Sequence, residues 1–455
     1  MSVSVITSNV TSGFIDLATF DEIEKYMYGG PDATAYFVRE TRKSTWFTQV
    51  PVVLSRASGT PGFNQDWSVN ISRAGDYLLQ TWLRLTTPAV TLLTSQTGLT
   101  LRWTPNLMHN LIKECSITFN DLVAARFDNW QLDFWAAFTV PAGKQDGYAN
   151  MIGNITSLII PTPAGTTIPS ATLNLPLPFF YSRDSGVALP TAALPYNEMR
   201  INFSFANWSD LLIMQANDST AIGTAPSVAQ IGGTEPTIKD CYVWANYAIV
   251  SNDERKRMAC APRDILIEQV QTAPKQTWNP QQNPNPTYDI RFSHAIKVLF
   301  FSVRNKSCPS LWSNYTTTSP VVTSSNTTNN PNAVDPIIQT SLIYENTARL
   351  SSMGSDYFSL VNPYYNAPNI PAVTGYHEYS YSLDFICLDP MGSTNYGKLT
   401  NVSINPACSD SAIAAAQPLN TLTPTTTNQK YDFIVTAVNN NIIRISGGAL
   451  GFPVL

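Results

Sequence analysis

The feature that most constrains this chain is the alternation of apolar and polar residues with a period of two. In "RINFSF" (200–205), Ile201, Phe203 and Phe205 share one side of an extended chain, and polar residues occupy the other side. Successive side chains of a β-strand point to opposite faces, so this pattern predicts a strand with one buried face. The pattern recurs in four more segments: "WSVNIS" (67–72), "SITFN" (116–120), "EYSYSLDFIC" (378–387) and "YDFIVTAV" (431–438). It favours β-sandwiches over units in which strands alternate with helices.

The first thirty residues (1–30) are predicted to form a separate segment with one short helix. Thr19 and Glu22 have the spacing of a capping box, and Gly29-Gly30 ends the helix. Its apolar side consists of Phe20, Ile23 and Met27. A helix of about eight residues is unstable alone in water, where roughly 12–15 residues are needed. We therefore expect this side to rest on its own sandwich, on an adjacent subunit or on another protein.

Two further short helices are predicted. In "SNDERKRM" (251–258), Ser251 and Glu254 again have capping-box spacing. In "FDNWQLDFWAAF" (127–138), aromatic residues recur at i, i+4 and i+8, namely Trp130, Phe134 and Phe138. Such a stripe is best explained by a helix packed over the end of a sandwich, and it is poor evidence for a cofactor site.

Composition divides the chain into two halves of similar length. Residues 214–238 are rich in small and turn-forming residues and predict a linker, which separates a first strand-rich domain (31–213) from a second (239–455). Two other polar stretches, 305–335 and 409–429, interrupt the second half. The first of these is much longer than usual loops, which seldom exceed about 12–15 residues. We expect it to project from the outer surface of the assembled protein.

The chain carries few charges. Charged residues make up 13% of the 455 residues, against about 25% in ordinary soluble domains. Interface cores are depleted of charge, so a surface largely covered by neighbouring copies is one explanation. The net charge is −5, and the longest basic run is Arg255-Lys256-Arg257. Direct nucleic-acid binding, which needs a clustered cationic face, is therefore disfavoured.

Cysteine and hydropathy patterns argue against metal, disulfide and membrane-spanning functions. The six cysteines include no CxxC pair, which indicates reduced residues and no metal framework. Apolar runs such as 296–303 are too short to span a bilayer. The N-terminus lacks the basic start and apolar stretch of a signal peptide. We expect a soluble protein, folded in a cytosol, without a cofactor.

No motif of a known catalytic class is present in the sequence. There is no Gly-x-Ser-x-Gly, P-loop, GxGxxG or His-Glu-x-x-His segment. The three histidines are far apart in sequence and are best explained as isolated residues: His109, His294 and His377. A glycosidase carboxylate pair follows no local spacing rule, so the acids that could form one stay candidates: Asp184, Glu198 and Asp384.

The segment 179–203, "FFYSRDSGVALPTAALPYNEMRINF", concentrates charges and serines between two strand-like stretches. Ser185-Gly186 offers a turn, and Pro190 and Pro195 cannot donate ladder hydrogen bonds. Arg183 beside Asp184 predicts a charge pair that stabilises the turn. No histidine lies near these serines in sequence, so we interpret the segment as a structural corner rather than as an active site.

Three Asn-x-Ser/Thr sequons fall within 305–335, at Asn305, Asn314 and Asn326. They are possible glycan sites, although the abundance of Asn, Ser and Thr makes sequons frequent by chance.

The corner segment is also part of a family resemblance. "LNLPLPFFYSRDSGVALPTAALPYNEMRI" (173–201) resembles a hallmark segment of the major capsid proteins of iridoviruses and other large nucleocytoplasmic DNA viruses. The similarity extends over essentially the whole chain and is greatest to invertebrate iridescent viruses. Other matching segments are "TAYFVRETRKSTWFTQVPV" (34–52), "MHNLIKECSITFNDLVAARF" (108–127), "RFSHAIKVLFF" (291–301), "MGSDYFSLVNPYY" (353–365) and "DPMGSTNYGKLTNVS" (389–403).

The resemblance implies an all-β fold of two consecutive eight-stranded antiparallel jelly rolls with a few short helices. It implies a structural, non-enzymatic subunit that forms homotrimeric, pseudo-hexagonal capsomers. These tile an icosahedral shell over an internal membrane. The implied partners are neighbouring capsomers and minor capsid or cement proteins, with the inner viral membrane contacted indirectly. The location implied is the virion, after synthesis and assembly in the host cytoplasm. Our own hypothesis is that residues 1–30 lie on the inner face of the shell.

The residues alone leave two other classes of function open. A β-sandwich carbohydrate-binding protein or glycosidase would also explain the many aromatic residues and neutral polar loops. A membrane-surface protein is a weaker option that rests on the N-terminal helix. A deep groove with two facing carboxylates would favour the glycosidase, whereas flat complementary flanks would favour the shell subunit.

Overall fold

The computed structural model describes residues 2–216, 223–317, 334–416 and 429–452. The chain divides into two compact units, of which one ends at Trp46 and the other begins at Phe47. Within the described residues, the first unit contains two helices and the second contains all the strands. No helix of these residues is long and apolar enough to cross a membrane.

The strands of the first half are β1 Phe47–Val53, β2 Ser55–Gly59, β3 Asp66–Asn70, β4 Tyr77–Thr86, β5 Val90–Thr91, β6 Leu99–Trp103, β7 Ile112–Phe119, β8 Leu122–Asp128, β9 Thr162–Pro163, β10 Thr167–Ile168, β11 Thr172–Pro176, β12 Met199–Phe205, β13 Leu212–Ala216 and β14 Lys239–Val250. Those of the second half are β15 Arg263–Thr272, β16 Gln276–Trp278, β17 Tyr288–Asp289, β18 Ala295–Asn305, β19 Ile337–Tyr344, β20 Thr347–Gly354, β21 His377–Ser380, β22 Thr394–Asn395, β23 Val402–Cys408, β24 Tyr431–Ser446 and β25 Ala449–Gly451. The α-helices are α1 Ser2–Ala18, α2 Glu22–Tyr28, α3 Leu107–Leu111, α4 Asn129–Thr139, α5 Gln145–Ile152, α6 Thr156–Ile159, α7 Asn252–Cys260, α8 Asn362–Asn366 and α9 Asp410–Ala415.

The first half is a sandwich of two antiparallel sheets. One, the β1 sheet, has the order β1-β14-β4-β11, and the other, the β3 sheet, has the order β2-β3-β12-β7-β8. In β12, Ile201, Phe203 and Phe205 are buried between the sheets while alternate residues are half-buried, as the period-two pattern predicts. Its neighbours β3 and β7 pair with it on either side.

The second half repeats this arrangement. The β15 sheet has the order β15-β24-β18-β21, and the β17 sheet has the order β17-β23-β19-β20. Taken in chain order, the strands of the two halves occupy equivalent places, although the sequences of the halves show no visible repeat. The four strands that the two halves share in each layer are supplemented by β2 in the β3 sheet and by β16, β22 and β25 in the β15 sheet. Closing the two layers on one core limits the exposed sheet edges. The predicted all-β fold of two consecutive eight-stranded antiparallel jelly rolls is confirmed.

The strand pairing extends the first sandwich beyond the boundary expected from composition. That boundary assigned residues from 239 onwards to the second domain. Instead, β14 pairs with β1 (Phe47 opposite Val250) and with β4 (Trp82 opposite Trp244). A low-complexity stretch such as 214–238 indicates a loop, but it does not indicate which sheet the next strand joins.

The strand predicted over 378–387 is shorter than its alternating pattern suggested. β21 ends at Ser380, and Leu383 is 78% exposed, although Phe385 is buried. The Ser380 hydroxyl donates to the Ser382 carbonyl. A serine that bonds to the nearby backbone competes with the sheet ladder, which accounts for the early end of the strand.

The predicted helices are present, with changes at their ends. α2 begins at Glu22, capped by the Asp21 carboxylate, so the capping box expected at Thr19 is wrong. The Thr19 hydroxyl instead donates to the Asp16 carbonyl, at the end of α1, a helix that the sequence patterns did not predict. α4 and α7 match their predicted segments, although Ser251 makes no side-chain cap at α7.

Part of the stretch 305–335 is buried rather than projecting. Cys308, Leu311 and Tyr315 have at most 9% of their surface exposed, so residues 305–317 of this polar stretch contribute to the core. Residues 318–333, and 417–428 of the stretch 409–429, lie outside the described part of the chain. The expected projection of this stretch from the outer surface stays a prediction.

Candidate functional site

The corner residue Arg183 joins the two sandwiches. Its guanidinium lies 2.8 Å from a carboxylate oxygen of Glu268 on β15, and it also donates to the Ile386 carbonyl at 3.3 Å. It stacks over the Trp135 ring at 4.2 Å. The predicted pair with Asp184 is wrong, because Asp184 is exposed and Arg183 pairs with Glu268. Adjacency in sequence suggested the partner, whereas the fold supplies it from the other half.

Glu268 binds a second cation on its other oxygen. The Lys297 ammonium on β18 lies 2.5 Å from Oε1 and also donates to the Cys387 carbonyl at 2.7 Å. The Lys297 side chain is fully buried, and burial lowers the pKa of Arg183 despite the carboxylate beside it. Sequence reasoning missed both residues, although a single lysine inside the apolar run "AIKVLFF" was a signal. A buried cation normally requires a partner.

The aromatic stripe of α4 packs on the outer face of the β15 sheet. Phe134 and Phe138 stack against Phe300 of β18 with ring-centre distances of 6.2 and 5.4 Å. The Arg304 guanidinium lies over the Trp130 ring, 5.0 Å from the ring centre. The stripe therefore forms core between the halves, as a structural helix would, but α4 covers the face of a sheet and not the end of a sandwich, where the sequence analysis placed it.

A buried carboxylate on α4 connects the halves a second time. Asp133 accepts hydrogen bonds from His109 Nδ1 at 2.7 Å and, on its other oxygen, from the hydroxyls of Ser313 at 2.8 Å and Tyr315 at 2.9 Å. His109 Nε2 in turn meets the Tyr148 hydroxyl at 2.5 Å. Because Asp133 belongs to the first half and Ser313 and Tyr315 to the second, the network fixes their relative position.

The Asp133–His109–Tyr148 chain has the order of a catalytic relay but lacks a good nucleophile. Burial raises the pKa of the Tyr148 hydroxyl above its ordinary value, which makes the phenolate still less favourable at neutral pH. A nucleophile must be activated by a lowered pKa or by an adjacent base. The geometry thus supports a positioning role better than catalysis, and no group of metal-binding side chains occurs in the described residues.

The rest of the corner, around Pro190 and Pro195, is held by hydrogen bonds to its backbone carbonyls. Pro190 is buried and Pro195 is exposed. Arg73, which the sequence analysis did not single out, donates to the carbonyls of Leu194 at 2.8 Å and Asn197 at 2.5 Å. These bonds fix the chain on either side of Pro195, so the turn depends on a distant arginine.

The three sequons differ in accessibility. Asn305 is 1% exposed, and its amide nitrogen donates to Thr316 and Gln429, so a glycan there would require these bonds to break. Asn314 is half-buried and accepts from Thr316. Asn326 lies outside the described residues.

The candidate acids of a glycosidase do not assemble into a pair that the structure records. Asp384 accepts from the Ile386 amide, and Glu198 pairs with Arg200 at 2.5 Å. Asp184 is exposed at the corner. None of the ion pairs or hydrogen bonds among the described residues joins two of these three carboxylates.

Comparison with known proteins matches each half of the chain to a family model of major capsid proteins. The N-terminal part of major capsid proteins matches residues 35–250, and the large eukaryotic DNA virus major capsid protein family matches residues 254–451. The major capsid protein of Costelytra zealandica iridescent virus is 64% identical, over 99% of this chain and 100% of its own length. The chain belongs to the major capsid protein family of large eukaryotic DNA viruses.

Further members of this major capsid protein family show how far the similarity extends. The protein of Invertebrate iridescent virus 6 is 63% identical over 99% of this chain and 100% of its own length. That of Rana tigrina ranavirus is 48% identical over the same shares of the two chains. The family resemblance found in the sequence is therefore confirmed, and the two family matches meet between Val250 and Glu254, where β14 ends.

Solved structures share the fold of this capsid protein at low sequence identity. A chain of the PBCV-1 virus capsid superposes with a TM-score of 0.72 at 21% identity, covering 92% of this chain and 100% of that one. The Faustovirus major capsid protein gives 0.69 at 12% identity, covering 98% and 99%. The double sandwich is thus preserved where the sequences have diverged.

Proposed function

We propose that this chain is the major structural subunit of an icosahedral viral capsid. The observation that carries the proposal is the duplicated sandwich: two sandwiches of the same strand order, held together by buried contacts. Three copies of such a chain supply six similar wedges and can fill a hexagonal tile. Family membership supports the same conclusion. The tiles would form a shell over an internal membrane, within the virion, after assembly in the host cytoplasm.

The subunit acts without catalysis in this proposal. The polar network centred on Asp133 ends in a phenol, Tyr148, whose pKa is raised, and it bridges the two sandwiches. The hydrogen bonds of Asp133 therefore fix the position of one sandwich relative to the other. A glycosidase needs two facing carboxylates, and no recorded contact among the described residues joins two of the candidate acids, so hydrolysis of carbohydrate finds no support in the structure.

The N-terminal unit is the proposed contact with minor capsid or cement proteins on the inner face of the shell. Its helix α2 has seven residues and an apolar side that includes Ile23 and Met27. A helix this short needs external packing for this side, which the proposed partner would supply. The inner membrane would be contacted indirectly, through those partners.

Native mass spectrometry of the purified chain tests the oligomeric state. The proposal gives a trimer, three times the 50.0 kDa mass of the chain. A monomer at micromolar concentration, or a dimer related by a two-fold axis, would contradict the capsomer.

A further inference from the structure

The two sandwiches carry equivalent helices in equivalent places. In the first sandwich, α4 follows β8 and precedes β11. In the second, a π-helical turn (Tyr357–Val361) continues into α8 (Asn362–Asn366), between β20 and β21. We refer to residues 357–366 as the second helix. Because β20 and β21 correspond to β8 and β11 in strand order, the second helix corresponds to α4.

α4 packs against a sheet of the same chain. It covers the outer face of the β15 sheet, where Phe134 and Phe138 stack on Phe300. Phe134 also meets Tyr376, immediately before β21, with an edge-to-face arrangement at 6.0 Å. The contact is therefore centred on strands β18 and β21 of the sheet.

Four apolar residues of the second helix are exposed in the described part of the chain. Leu360, Val361, Tyr364 and Tyr365 are exposed by 52, 42, 70 and 75%. The pairs 360/364 and 361/365 are four residues apart, so each pair lies on one side of a helix. Phe358, on the opposite side, is buried in the core of its own sandwich. Two adjacent tyrosines with two aliphatic residues form an apolar surface of the kind enriched at interface centres.

The corresponding sheet of the first sandwich, the β1 sheet, also has exposed and half-buried apolar residues on its outer face. On the outer face of the β1 sheet, one row crosses all four strands in the order Val53, Trp244, Trp82, Pro176. The two tryptophans stack at 6.3 Å, and Val53 is 40% exposed. Tyr242, at 48% exposure, lies in the next row.

An apolar groove continues from this row. It has a volume of about 640 Å³; Pro176, Leu177 and Pro178 form one side, and residues of α4, of α5 and of the turn between them form most of the rest. Its position after β11 corresponds to the place after β21 in the second sandwich, where Phe385 contacts Trp135 of α4 at 6.0 Å. The face thus offers the second helix the same kind of surroundings that α4 has.

We propose that the second helix of one copy docks on the outer face of the β1 sheet of a second copy. This contact would repeat, between chains, the contact that α4 makes within the chain. The inference rests on the proposed trimer and names its interface. Arg84 on the face and Asp356 beside the helix are exposed and of opposite charge, which favours the pairing. The two surfaces differ, so the contact is head-to-tail, and three copies close a ring of six alternating sandwiches.

Two full-length variants separate the surfaces. Leu360→Asp with Tyr364→Asp places charge on the second helix, and Tyr242→Asp places it on the β1 sheet. All three positions are exposed, so folding is expected to be preserved, as unchanged circular dichroism and thermal unfolding would verify. Leu383→Asp, at a position 78% exposed outside both surfaces, is the matched control and is expected to stay trimeric.

Each variant alone is expected to be monomeric where the wild-type chain is trimeric. An equimolar mixture is expected to form dimers, because one intact helix and one intact sheet face remain to pair once. Trimers that persist in both variants, or a mixture that stays monomeric, would overturn the inference. Trimers that persist while closed shells are lost would assign the surfaces to another protein, and would overturn it too. A monomeric wild-type chain would contradict the proposed function itself, and the inference with it.

Discussion

Arg183 of the first sandwich and Glu268 of the second lie 2.8 Å apart, in the junction where the two halves of the chain meet. Glu268 also balances Lys297, whose side chain is fully buried. This cluster therefore contains two cations and one carboxylate. Pairing of this kind defines a relative position of the halves more than it adds stability, since desolvation offsets much of the attraction.

Glu268→Gln is expected to destabilise the folded chain strongly. The substitution leaves the Lys297 ammonium buried without a counter-charge, for which about 3–5 kcal/mol is typical. Urea unfolding followed by tryptophan fluorescence, at fixed protein concentration, measures the loss. Ser185→Ala, at the exposed corner, is the control and is expected to stay within about 0.5 kcal/mol of wild type. Equal stability of Glu268→Gln and wild type would show that the cluster has no structural role.

Phe134→Ala is expected to loosen the contact between the halves. Phe134 is fully buried and contacts Phe300, Tyr315 and Tyr376. Truncating a buried phenylalanine costs about 3–5 kcal/mol, because transfer and cavity terms add. Faster protease cleavage between the sandwiches, near residues 251–262, measures the loosening. An unchanged cleavage rate would contradict a structural role for the stripe.

Glu378 is expected to make stability fall with rising pH. Its side chain is fully buried, neither oxygen has a hydrogen-bond partner among the described residues, and burial raises its pKa to about 8 from 4.5. The folded chain then holds a proton that the unfolded chain has lost, so stability declines from about pH 4.5 to about pH 8. The slope is about 1.4 kcal/mol per pH unit.

The Glu378→Gln variant isolates this effect. It cannot ionise, so its unfolding free energy relative to wild type is expected to increase between pH 5 and pH 8. Urea titrations at a series of pH values provide the measurement. A difference that is constant with pH would mean that Glu378 ionises normally in the folded chain.

Deleting residues 1–28 is expected to leave soluble trimers but prevent closed shells. The apolar residues of α2 are exposed, with Ile23 at 70% and Met27 at 60%, and no α2 residue is buried. A seven-residue helix needs external packing, since isolated helices shorter than about 12–15 residues are marginal. Native mass spectrometry measures trimer formation, and electron microscopy of assembly reactions shows whether closed shells form. Loss of the trimer itself would place the segment in the subunit core.

The positions of strands could be predicted from the sequence, but the strands and side chains that they contact could not. Alternation in β12 identified its buried face, because burial on one side leaves a period of two in any local window. The partner of Arg183 was missed, because it lies 85 positions away and only the fold brings the two together. The same limit applies to β14, whose sequence indicates a strand but not the sheet that it joins. The repeat of strand order likewise appears only in three dimensions.

Cryo-electron microscopy of the purified oligomer tests the central claim most directly. We expect a three-fold particle with six sandwich-sized densities around its axis, in which residues 357–366 of each copy lie against Trp82 and Trp244 of the next. A particle without three-fold symmetry, or one in which the sandwiches of neighbouring copies do not alternate around a ring, would contradict the account.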